Sequence, residues 1–161
     1  MENLTLRKAV ELAIKTEQLG AEFYCEMAEK FSDFQDVKAI FTRLTKDEII
    51  HEQQFKSLLK QVDDSAIEKA TGQDYLRATA MFKVFIGDAF ANRDLIPTPL
   101  AALTNALNLE KSTLIYYTAI EEVIGKQDIL TEIINAEKEH IQALTKVILS
   151  DAKFRGMADP W

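Results

Sequence analysis

Apolar residues recur at steps of three and four along four long stretches of this chain, and each stretch reads as an amphipathic helix. Over about 5–30 the stripe is Leu6, Val10, Ala13, Ile14, Ala21, Tyr24 and Ala28, running on to Phe31. A second, over about 33–61, carries Val37, Ile40, Phe41, Leu44, Phe55, Leu58 and Leu59. Ser32, with Gln35 three residues on, reads as a capping box that starts this helix near Asp33. Thr98-Pro99 predicts an N-cap followed by proline at the first helical position, opening a third helix over 99–124 with Leu103, Leu107, Leu114, Tyr117 and Ile120 inward. Gly125 ends it, and a fourth helix over 128–150 carries Ile133, Ile134, Ile141, Leu144, Val147 and Ile148.

The connections set the topology. Only a few residues separate the first helix from the second and the third from the fourth, so each pair is expected as an antiparallel hairpin. Roughly 36 residues, from Val62 to Thr98, join the hairpins. Their middle turns helical at about 74–91, with Met81, Phe82, Val84, Phe85, Ile86 and Phe90 apolar. The expected fold is all-α: a single domain over 1–161, a four-helix bundle of two antiparallel hairpins with a long helical crossover between helices 2 and 3. The crossover helix is apolar around more of its circumference than one bundle covers, which predicts a homodimer.

Composition narrows the field. Five Gly and three Pro in 161 residues exclude a turn-rich β-protein. Asp+Glu 26 against Lys+Arg 19 gives a net charge of −7, the wrong sign for a nucleic-acid partner. No apolar run reaches the roughly 18–20 residues of a membrane span, and no apolar segment follows the charges of the first eight residues, so the expected location is cytoplasmic. Cys25 is the one cysteine, which rules out an internal disulfide and a Cys-based zinc site within this sequence. Its place beside the inward face predicts a small apolar packing residue.

Each inward stripe is broken once, and always by glutamate. Glu17 follows Val10, Ala13 and Ile14, Glu48 follows Leu44, Glu110 lies between Leu107 and Leu114, and Glu137 between Ile133 and Leu144. An unpartnered buried carboxylate costs several kcal/mol or takes up a proton, so four on converging faces require a shared positive charge. The two histidines indicate what it is. His51 follows Glu48 by three residues and His140 follows Glu137 by three, which places each pair on one helix face. With 15 Glu in 161 positions, both coincidences together arise by chance about 1% of the time. A weak internal repeat reinforces the pattern: Tyr24 follows Glu17 by seven, as Tyr117 follows Glu110. Each hairpin therefore supplies a lone Glu and a Glu-x-x-His, and four carboxylates with two imidazoles suffice for two divalent ions with open positions left over.

This pattern resembles the ferritin-like di-iron carboxylate proteins, close to rubrerythrin and bacterioferritin, and the resemblance spans about residues 5–150. It implies two iron ions, with manganese accepted by the same donors. Glu48 and Glu137 would bridge them, Glu17 and Glu110 would be terminal ligands, and His51 and His140 would bind one ion each. The implied function is a non-haem di-iron oxidoreductase, a peroxidase or ferroxidase, whose Fe(II) pair reacts with O2 or hydrogen peroxide and draws on an external electron donor. The alternative is an iron storage or sequestration protein of the ferritin type. Two departures shape the expectation. Thr113 stands where rubrerythrins carry an additional glutamate, and Cys25 alone cannot form the paired cysteines of a rubredoxin domain, so the chain resembles the bare di-iron domain. Helix 2 lacks the methionine that binds haem in bacterioferritin, so no cage is implied.

Overall fold

In the computed structural model, which describes residues 6–62, 87 and 90–150, all four periodic stretches are helical. They are α1 (Leu6–Lys30), α2 (Gln35–Leu59), α3 (Pro99–Ile124) and α4 (Asp128–Ser150), with one 3-10 turn at Arg93–Leu95 and no strand among the described residues. α1 packs most extensively on α2 and α3 on α4, while α2 also touches α4 and α1 touches α3. This is a four-helix bundle of two hairpins. The crossover helix expected at about 74–91 lies outside the described residues apart from Gly87, Phe90 and Ala91, which are helical.

Local chemistry sets the helix ends. Thr98 Oγ1 accepts from the Ala101 backbone N–H at 3.1 Å and Pro99 follows as the first helical residue, the expected cap of α3. Gly125 ends α3 at φ +79°, a conformation that favours glycine, and its N–H donates to Glu121 O at 2.8 Å. The capping box expected at Ser32 does not form. α2 starts at Gln35, and Phe34 occupies the cap position with no side-chain cap. Backbone bonds from Phe31 N to Met27 O and from Phe34 N to Phe31 O, both 3.0 Å, close a turn that absorbs Ser32.

The apolar core is split in two. One cluster gathers Phe23, Tyr24, Met27, Val37, Phe41, Leu44, Leu103 and Leu109 with the last turns of α4. The other gathers Val10, Ala13, Phe55, Leu58, Tyr116, Tyr117, Ile120 and Ile133. Every helix contributes to both, so each hairpin needs the other to bury its stripe, at about 1.5–3 kcal/mol for each large side chain. Cys25 departs from expectation: it is exposed, on the outer side of α1. No described helix is long and apolar enough to cross a membrane.

Candidate metal centre

Between the two apolar clusters lies a polar layer: Thr16, Glu17, Glu48, His51, Glu110, Thr113, Glu137 and His140, none more than 5% exposed. All six residues singled out from the spacing are in it. They form two overlapping groups, Glu17/Glu48/His51/Glu137 and Glu48/Glu110/Glu137/His140, in each of which one donor atom per residue lies within 4.8 Å of the others. His51 Nδ1 is 3.1 Å from Glu137 Oε1, 3.5 Å from Glu17 Oε2 and 3.7 Å from Glu48 Oε2. His140 Nδ1 is 3.2 Å from Glu110 Oε2 and 3.4 Å from Glu48 Oε1. The two imidazole rings stack with centroids 5.5 Å apart. Glu48 thus turns one carboxylate oxygen toward each histidine.

A second set of contacts holds the carboxylates from behind. Tyr24 donates its hydroxyl to Glu110 Oε1 and Tyr117 donates to Glu17 Oε1, each from the opposite hairpin. Thr113 Oγ1 lies 2.7 Å from Glu137 Oε2 and 2.9 Å from Glu110 O; its single proton serves one acceptor at a time. On the outer side, His140 Nε2 is 3.1 Å from Asp47 Oδ2. The sequence pattern missed Asp47, the contact of Thr113 with Glu137 and the crosswise pairing of the tyrosines. A surface cleft of about 310 Å³, lined in part by Arg43, Asp47, Gln54 and Glu132, reaches both histidines from solvent.

The charge state shows what the layer is built for. Burial pushes Glu48 and Glu137 well above the ordinary carboxylate range, and facing carboxylates, Glu17 and Glu110 for Glu48 and Glu110 for Glu137, push them further. Glu110 is also raised by burial, against the opposing pull of Glu137 and Tyr24. Burial raises Glu17 too, but a proton on neighbouring Glu48, with His51 and Tyr117, outweighs it and leaves Glu17 below its ordinary value. Burial alone would lower His51, yet Glu137, Glu17 and Glu48 around it raise it far above its ordinary value. For His140 burial prevails and its pKa falls. Burial, then the facing Glu110 and Glu17, raise the Tyr24 and Tyr117 phenols well beyond their usual range, so both remain donors.

Four buried atoms, Glu17 Oε2, Glu48 Oε1, His51 Nδ1 and Glu137 Oε1, have no properly aligned hydrogen-bond partner. All four point into the layer's centre from the donor groups themselves. Unsatisfied buried polar atoms are rare and call for a missing partner, and carboxylate and imidazole donors suit iron or manganese. The donor set fits iron or a similar cation.

Fold and layer together define a ferritin-like helical bundle whose buried carboxylate–histidine cluster is compatible with iron. The protein-family model of rubrerythrin matches residues 8–89, just over half of the sequence, and the chain belongs to the rubrerythrin family. No significant match exists among curated proteins or among solved structures. The family match covers Glu17, Glu48 and His51; Glu110, Glu137 and His140 lie beyond it and join the site by geometry.

Proposed function

We propose that this chain is a non-haem di-iron oxidoreductase of the peroxidase or ferroxidase type, with Glu17, Glu48, His51, Glu110, Glu137 and His140 as the ligands of two iron ions. The observation that carries this reading is the overlap of the donor groups: Glu48 and Glu137 belong to both. A carboxylate has two oxygens, so a residue common to both sets could serve both ions. When bound, an Fe(II) pair supplies the electrons that reduce O2 or hydrogen peroxide.

The remaining contributions come from the chain itself. Four carboxylates offset the added positive charge. Tyr24 and Tyr117 hold the outer oxygens of Glu110 and Glu17, which orients their inner oxygens. Thr113 steadies Glu137 at 2.7 Å without adding a seventh donor, which leaves coordination positions for the oxidant. The apolar clusters close both ends of the layer against water, and the cleft over the histidines admits small molecules. Manganese suits the same donors. These 161 residues hold no cysteine pair to relay electrons, so peroxide turnover draws on an external electron donor and ferroxidase turnover on incoming Fe(II). On this reading the chain works in the cytoplasm as a homodimer, its apolar crossover sequence shared between copies.

Metal analysis of protein purified without added metal, coupled to the near-ultraviolet change on adding peroxide, tests the proposal. The expected result is about two Fe or Mn per chain, lost when Glu48 and Glu137 are both replaced by alanine. A single zinc that survives the double replacement would overturn it, and many irons per chain in a large assembly would replace it with storage.

A further inference from the structure

The two hairpins mirror one another through the site, and the mirror fails next to the histidines. Glu48 pairs with Glu137, so the counterpart of Asp47 is Ala136. Asp47 Oδ2 lies 3.1 Å from His140 Nε2. Arg43 Nε, one turn earlier on α2, sits 3.4 Å from the same oxygen, and Arg43 also reaches Glu139 on α4 at 3.8 Å. His51 has no such support: its contacts with carboxylates run through Nδ1, and no carboxylate among the described residues pairs with its Nε2. Glu132, which lines the same cleft as His51, accepts from Gln54 at 3.2 Å.

A neutral imidazole carries one proton, and its placement decides which nitrogen can bind a metal. With Nε2–H donating to Asp47, the Nδ1 lone pair of His140 faces Glu110 Oε2 and Glu48 Oε1. Asp47, itself held by Arg43, orients the ring and favours the proton on Nε2 over the alternative in which Nδ1–H donates to Glu110 Oε2 at 3.2 Å, the role that carboxylates behind metal-binding histidines commonly play. No carboxylate among the described residues stands behind His51 in this way. We propose that Asp47 is a positioning residue that makes the two metal positions unequal: the first divalent cation occupies the Glu48/Glu110/Glu137/His140 set, and the second the Glu17/Glu48/His51/Glu137 set. This rests on the dinuclear reading given above.

The test is an anaerobic titration of the full chain with Co2+, followed by calorimetry and visible absorbance, alongside Asp47→Ala and Asp47→Asn. Asp47 is partly exposed, and the asparagine variant preserves its shape where alanine does not. Wild-type protein should fill in two resolved steps. Both variants should weaken the first step by about 10–100-fold and leave the second within about threefold. Nitrogen-15 spectra of the metal-free protein supply a readout independent of metal: His140 should carry its proton on Nε2 in the wild type and lose that preference in Asp47→Ala. Two indistinguishable steps in the wild type, or a first step unchanged in both variants, would overturn the proposal while leaving the dinuclear reading intact. Uptake of only one equivalent by the wild type would overturn both.

Discussion

Replacing Tyr117 by phenylalanine removes one oxygen from the centre of the bundle and leaves the ring in place. The Tyr117 side chain is fully buried and packs 4.7 Å, centroid to centroid, from Phe55. Phenylalanine keeps that packing, so no cavity of consequence forms. The loss is the hydrogen bond that the phenol donates to Glu17 Oε1. Bonds to charged groups contribute about 1.5–3 kcal/mol, and the other Glu17 oxygen already lacks an aligned partner, so nothing takes over. For a domain of this size each kcal/mol moves the melting temperature by about 2–4 °C, which gives a drop of about 3–12 °C. The pH dependence follows from Glu17, whose pKa in the fold is depressed, Tyr117 being one of the causes. A depressed carboxyl stabilises the fold above its unfolded value near 4.5, and that contribution is lost as pH falls through the folded value. Urea unfolding of the metal-free protein at pH 7, 5.5 and 4 should therefore show a difference between wild type and variant that is full at pH 7 and shrinks toward pH 4. An unchanged midpoint at pH 7, or a difference that widens as pH falls, would refute the reasoning.

Metal-free protein should lose stability as pH rises from about 6.5 to 9: Glu48, Glu137 and His51 all have raised folded pKa values, whose contribution is complete below the unfolded values and declines above them; denaturant midpoints that rise over this range would contradict the charge assignment. Phe55→Ala, at a fully buried position beside the polar layer, should cost about 3–5 kcal/mol by chemical denaturation, and a cost below about 1 kcal/mol would show that its cluster collapses around the gap. Gly20→Ala should stabilise the protein by about 0.5–1 kcal/mol, because the glycine is inside α1 and an added Cβ would sit 3.6 Å from Glu48 Cγ, ordinary contact; a lower melting temperature would reverse that expectation.

How far the sequence reveals the site depends on which contacts lie along a helix and which lie across the bundle. Glu48 with His51 and Glu137 with His140 are neighbours on one face, so their spacing announces them. The inward glutamates stand out because charge interrupts an apolar stripe. Tyr24 sits seven residues after Glu17, two turns and about 10.5 Å along the same helix, too far to touch. The repeat marks the tyrosine, but its partner, Glu110, is on another hairpin and only packing reveals it. Asp47 gives no signal at all: on an outward position a helical aspartate reads as a solvated charge, and its value arises from His140, 93 residues away. Ser32 misleads in the opposite sense, since a valid capping pattern loses to backbone bonds that close the turn first. Cys25 is next to an inward tyrosine, and one residue's rotation of about 100° carries it to the surface.

The crosswise tyrosines have a consequence for the origin of such a chain. Tyr24 reaches the lone glutamate of the second hairpin and Tyr117 reaches that of the first, so neither half completes its own carboxylate. Two copies of α1 and α2, related by a dyad, would present four carboxylates and two imidazoles, with Tyr24 of each copy meeting Glu17 of the other. Such a half-length peptide would find a tyrosine partner for its lone glutamate in a copy of itself. Fusion of two identical halves would then free each to diverge, and Asp47 aligned with Ala136, like Gly20 aligned with Thr113, are the kind of differences that a self-paired ancestor could not have held.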